Sequence, residues 1–150
     1  MTRFLPAGRY GFDAVAPGDL IETDRLTVTA ERIDAFAEMT GDRFDIHMDD
    51  ASARARGFPG RVAHGLLVLS LIDGLKNQTL AQFDAIASLG WDWTFARPVF
   101  IGDEVGARIT VMDKRETSKS DRGILTLDFD VTNQAGETVQ RGVNKLMVFR

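Results

Sequence analysis

The stretch LLVLSLIDGL, Leu66 to Leu75, follows His64-Gly65 and is apolar almost all the way round. A helix that packs on a surface keeps a polar stripe toward solvent, and this one has almost none. It therefore has to be wrapped by other elements. From Ala85 onward the period changes to two. Trp91, Trp93 and Phe95 alternate with Asp92 and Thr94, and Val105 to Met112 follows a Gly102-Asp103 turn. Leu125, Leu127, Phe129 and Val131 alternate with Thr126, Asp128 and Asp130, Asn133 to Gly136 reads as a hairpin, and Val143 to Phe149 forms the last strand.

Upstream, Leu20 to Val28 reads as one strand after the Pro17-Gly18-Asp19 turn. Thr29 then caps a helix with Ile33, Phe36 and Ala37 on its apolar face, and Gly41 ends it in a left-handed conformation. Asp49-Asp50 open a short helix, Ala51 to Ala55, which Gly57-Phe58-Pro59-Gly60 breaks. The order is strand, helices, four strands. An antiparallel sheet curled around one central apolar helix, an α+β class, satisfies both halves of this pattern.

At 150 residues, 44% hydrophobic and without repeats or low-complexity linkers, the expectation is a single domain, 1–150. The formal charge is −4, and the 18 basic residues are scattered, which argues against a nucleic-acid or anionic-membrane surface. The absence of cysteine excludes disulfides, thiolate zinc sites and cysteine nucleophiles. The first residues lack a signal pattern, and no run approaches the ~20 apolar residues of a membrane span, so a cytoplasmic protein is expected.

Both histidines of the chain lie between Thr40 and Gly65. Asp42 and His47 fall just past the predicted helix end, on a loop. A histidine exchanges protons near neutral pH, and a carboxylate beside it can share a bound water, so the pair could activate water. His64-Gly65 opens the apolar helix, whose first N–H groups have no intrahelical partner. Glycine lets a ligand oxygen approach closely there, making the Gly65 N–H a candidate oxyanion donor.

These stretches resemble the MaoC-like (R)-specific enoyl-CoA hydratases and dehydratases, whose motif is D-x-N-P-x-H with an acid after it, then a segment like I-A-H-G-M-L. The matching residues are Asp42-Arg43-Phe44-Asp45-Ile46-His47-Met48-Asp49 and Val62-Ala63-His64-Gly65-Leu66-Leu67. Phe95 to Asp103 is similar to the family's F-x-x-P-V-x-x-G-D segment. The resemblance runs from about Pro17 to the end. It implies a hot-dog fold, Asp42 and His47 as the catalytic pair, and the Gly65 N–H as the oxyanion donor, with His64 beside it either as a substrate-binding residue or as a structural one that orients the loop by hydrogen bonding. It further implies reversible hydration of a trans-2-enoyl thioester of coenzyme A or an acyl carrier protein. No separate cofactor is implied, coenzyme A being part of the substrate, and the family's homodimer is expected.

Phe44 and Asp45 depart from the family's Asn-Pro and are candidates for setting substrate range. Some members carry a helix serine that assists the aspartate. Its place here is Asp73, with Ser70 one turn earlier, and the serine's role is assigned to neither. Asp73 also carries the rival function, a hot-dog acyl-CoA thioesterase, which would use an acid near the central helix. Its bland alternative is a solvent-facing acid at the helix end. A non-catalytic acyl-CoA-binding accessory subunit is the third reading.

Asp42, His47, Asp49 and Asp50 form a conceivable metal set, but no second histidine sits at helical ligand spacing, so no metal is expected. Trp91, Trp93 and Phe95 read as core before tunnel lining. Arg54, Arg56 and Arg61 could meet the phosphates of coenzyme A, and most of them read as solvated surface arginines first.

Overall fold

The computed structural model describes residues 2–150. The apolar run is helical, and the helix (α4, Gly65–Lys76) buries Leu67, Val68, Ile72 and Leu75. They join one core with Val105, Ile109, Leu125, Leu127, Phe129, Leu146 and Val148 from the long strands. In chain order the elements before α4 are β1 (Arg3–Phe4), β2 (Gly8–Tyr10), a 3-10 turn (Phe12–Ala14), β3 (Asp19–Glu22), β4 (Leu26–Thr27), α1 (Ala30–Thr40), α2 (Asp45–Met48) and α3 (Asp50–Ala55). After it come β5 (Ala81–Phe83), β6 (Ala85–Phe95), β7 (Glu104–Glu116), β8 (Arg122–Thr132) and β9 (Thr138–Phe149).

The main sheet has the order β1-β3-β7-β8-β9-β6, with β4 also on β7. Its four long strands pair antiparallel, as the alternating pattern requires. The β8–β9 turn closes through Asn133 N–H to Glu137 O, with Gly136 at φ 75°. Thr29 caps α1 by accepting from the Arg32 N–H, and Gly41 ends it at φ 79°, both as the sequence indicates.

Three features differ from the sequence expectation. The strand foreseen from Leu20 to Val28 is broken: Glu22 pairs with Arg108 and Leu26 with Val105, so the β3–β4 side carries one residue more than β7 and bulges. Short N-terminal strands add two parallel pairings, β1 with β3 and β2 with β5, to an otherwise antiparallel pattern. Finally, the wrapping of α4 is one-sided, because a single curved sheet covers only one flank. Leu66 is 59% exposed and Ser70 is also exposed.

Candidate active site

Asp42 follows the left-handed Gly41, and its Oδ1 accepts the Phe44 N–H at 3.2 Å, a local turn typical of aspartate. This turn feeds directly into α2. His47 therefore sits on a short helical turn, not on the open loop expected from the sequence. Arg61 fixes the turn from behind. Its Nε–H donates to the His47 carbonyl at 2.6 Å and its guanidinium pairs with Asp34 of α1. Arg61 is thus a clamp under the site, not a solvated arginine. Arg54 and Arg56 instead donate to Pro59 O and to Asp45.

The two histidines stack, with ring centroids 4.0 Å apart and planes 28° from parallel. Each is oriented by a backbone carbonyl, which can only accept. The His47 Nδ1–H donates to Val62 O at 2.6 Å, and the His64 Nε2–H donates to Asp42 O at 2.9 Å. In the neutral form His47 Nε2 thus carries a lone pair, ready to take a proton. His64, 2% exposed, ties the Asp42 loop to the start of α4, and its buried Nδ1 has no partner among the described residues.

Side-chain ligand atoms of Asp42, His47 and His64 lie within 4.8 Å of one another, close enough to share a water.

Burial holds His47 below its ordinary value of 6.5, and the neighbouring His64 and Arg61 push the same way. The Val62 bond and the Asp42 charge partly oppose them. The unfolded chain binds a proton at His47 more readily than the folded one. The corresponding stability is therefore fully present above 6.5 and is lost as pH falls from there through the lower folded value. The same shift governs a base at this position. The acid limb of kcat/KM is expected below pH 6.5, as read from a rate profile of the free enzyme, and a limb at or above that value would contradict the assignment.

Gly65 is the first residue of α4, so its N–H has no intrahelical partner and carries the positive end of the helix dipole. His47, Phe58, Val62, Gly65, Val68, Phe95, Val99 and Gln140 are among the residues lining a cavity of about 260 Å³ beside it. The structure thus gathers Asp42, His47, His64 and Gly65 at one place. Asp73 stands apart, about 12 Å further along α4 at 1.5 Å per residue. It is partly buried, and its Oδ1 lies 3.2 Å from the Nζ of the buried Lys76. Trp91 and Trp93 pack edge-on against Phe129, whereas Phe95 reaches the cavity.

Phe44 and Asp45 form a unit with Arg56. Asp45 accepts two N–H bonds from Arg56 at 3.2 Å, and the same guanidinium lies over the Phe44 ring at 5.3 Å. Phe44, half-exposed, stands edge-on to His47 at 5.9 Å. An ion pair therefore braces this turn where proline would have done so by its fixed φ. Exposed pairs add little stability. Arg56→Ala is accordingly expected to leave Tm within about 2 °C, and to shift KM for thioesters several-fold by releasing Phe44. Steady-state kinetics beside a thermal melt check this, and unchanged KM across acyl lengths would deny Phe44 a role in substrate range.

Sequence reading missed Arg61, Phe58 and Val68 as parts of the site, and Gln140 as well. Gln140 lies on the last strand, far from any motif.

The chain is similar to known proteins over most of its length. The model of the MaoC-like domain matches residues 13–133. The (R)-specific enoyl-CoA hydratase of Aeromonas caviae is 36% identical over 113 residues, covering 75% of this chain and 81% of that protein. The solved structure of a monoamine oxidase regulatory protein from Archaeoglobus fulgidus superposes with a TM-score of 0.89 at 32% identity, covering 97% of this chain and 99% of that one. A Mycobacterium tuberculosis protein described as a double hotdog fold is similar in fold alone, with a TM-score of 0.83 at 22% identity, covering 97% of this chain and 46% of that one. With His47 and Gly65 lining one cavity and Asp42 beside His47, and with these relatives, the chain belongs to the MaoC-like family of hydratases and dehydratases and has the hot-dog fold.

Proposed function

We propose that the chain, acting as one domain, catalyses reversible addition of water to a trans-2-enoyl thioester of coenzyme A or an acyl carrier protein, giving the (R)-3-hydroxyacyl thioester. The observation that carries this reading is the tautomer of His47. Its proton is committed to Val62, which leaves Nε2 bare to accept from a water within reach of Asp42, and His47 and Gly65 line the same cavity.

In hydration, the water donates one hydrogen bond to Asp42 and the other to His47 Nε2. Its oxygen forms the bond to C3 as His47 takes the proton. Electrons of the double bond move onto the thioester oxygen, where the Gly65 N–H meets the enolate charge. The imidazolium then returns the proton to C2, and the reverse sequence eliminates water.

Asp73 lies away from this cavity and is engaged by Lys76, which weighs against a thioesterase built on it. Chiral analysis of the product from crotonyl-CoA tests the proposal: the (R)-3-hydroxybutyryl thioester is expected, and an (S) or racemic product would overturn it.

The active form is proposed to be a homodimer, in the cytoplasm. No described helix is long and apolar enough to cross a membrane. Strand β6 is bonded on one side only, by β9, and exposes Leu89 and Phe95. A second copy can pair with that edge by symmetry. Sedimentation at micromolar concentration is expected to give twice the chain mass, and a monomer there would contradict it.

A further inference from the structure

Strand β9 buries two amide side chains, Gln140 at 2% exposure and Asn144 at 0%. Asn144 works within the sheet. Its Nδ2–H groups donate to Ser88 Oγ at 2.8 Å and Gly90 O at 2.9 Å, where β6 slips register. Gln140 links the sheet to the site. The Trp93 Nε1–H donates to its Oε1 at 2.8 Å, and its Nε2–H donates to the Gly65 carbonyl at 3.0 Å.

The direction of the Gln140 amide follows from chemistry. An indole nitrogen only donates and a carbonyl only accepts, so the amide oxygen must face Trp93 and its nitrogen must face Gly65. Gly65 has no side chain to pack, and glycine has the widest backbone freedom of any residue. Its carbonyl is tied to β9 while its N–H lies on the preceding peptide at the helix start. Gln140 and Gly65 also line the same cavity, together with His47 and Phe95.

We propose that Gln140 is a positioning residue: held by the Trp93 indole, it fixes the Gly65 carbonyl and so keeps the glycine's N–H aimed at the thioester oxygen. The inference rests on the hydratase reading. It adds a residue that touches no reacting atom but sets the geometry of one that does, and small errors in such geometry cost rate more than binding.

The test compares Gln140→Leu, Gln140→Glu and, as a buried-amide control on the same strand, Asn144→Ala. Gln140→Leu is expected to lower kcat about tenfold with KM within about twofold, since the lost interaction acts in the transition state. Gln140→Glu regains a donor toward Gly65 only when protonated, and burial favours the protonated acid. Its rate relative to the parent at each pH, which cancels the titration of His47, is expected to rise as pH falls. Asn144→Ala is expected to lower Tm without that kinetic pattern.

A parental kcat in Gln140→Leu would overturn the proposal. So would a loss that merely follows Tm as in Asn144→Ala, or a flat Gln140→Glu ratio. The Gly65 amide resonance of the substrate-free protein gives a separate readout and is expected to move in Gln140→Leu. If the parent hydrates no enoyl-CoA, the hydratase reading fails, and an unmoved Gly65 resonance would then refute the positioning claim independently.

Discussion

His47→Ala is expected to lower kcat/KM for enoyl-thioester hydration about a thousandfold, within the range that a positioned general base contributes. The variant removes the imidazole proposed to take the proton from water and leaves the Val62 carbonyl without its donor. It also unstacks His64, so a thermal melt must accompany the kinetics. Asp42→Asn keeps the Phe44 N–H bond through its amide oxygen and loses charge. A smaller drop, about a hundredfold, is expected from it. Because the two groups act on one water, the double variant should cost little more than His47→Ala alone. Full rate in both single variants would show that the site assignment is wrong.

The second large effect concerns a backbone group, which an alanine scan would miss. A Cβ at Gly65 would stand 2.5 Å from the Phe95 ring, so any substitution there first collides with Phe95. Phe95→Ala removes the three atoms nearest to that Cβ, all of which belong to the ring. In that background, Gly65→Ala retains the N–H and Gly65→Pro deletes it. Proline is well tolerated at the first helical position, and His64 at φ −56°, ψ 131° already has the extended backbone that precedes proline. The proline variant is expected to have a kcat about 10²–10³ below the alanine one, as for other lost oxyanion donors, with Tm within a few degrees. Equal kcat values would remove the Gly65 N–H from the mechanism.

The parts of this protein legible in sequence are those whose cause is local. The apolar run from Leu66 to Leu75 demanded a surrounding sheet, and the period-two strands after Ala85 supplied it. Thr29 and Gly41 marked the ends of α1, because a cap and a left-handed stop each depend on a few neighbouring atoms. Asp42, His47 and Gly65 can be put forward as site residues for the same reason, sitting in short motifs at fixed spacing.

Contacts made at long range were not legible. The bulge between β3 and β4 depends on register against β7. The role of Arg61 depends on Asp34 and on the His47 carbonyl. Gln140 meets Gly65 only because β9 passes beside the start of α4. The open flank of α4 was missed because periodicity reports how apolar a helix is but not how far one sheet reaches around it.

Phe44 and Asp45 read as departures in sequence and as one braced unit with Arg56 in structure, which explains how the turn holds without proline. The separation of Asp73 from the cavity is a matter of helix rise, which the helix start at Gly65 already implies in sequence.

Hydratase and thioesterase differ in whether water is added at C3 or the thioester is cleaved. Crotonyl-CoA and a longer enoyl-CoA, followed for enoyl absorbance and free thiol in the same sample, decide this directly. Loss of absorbance without thiol release, abolished in His47→Ala, is expected. Thiol release without hydration would contradict it in favour of a thioesterase, and binding with neither reaction would contradict it in favour of an accessory subunit.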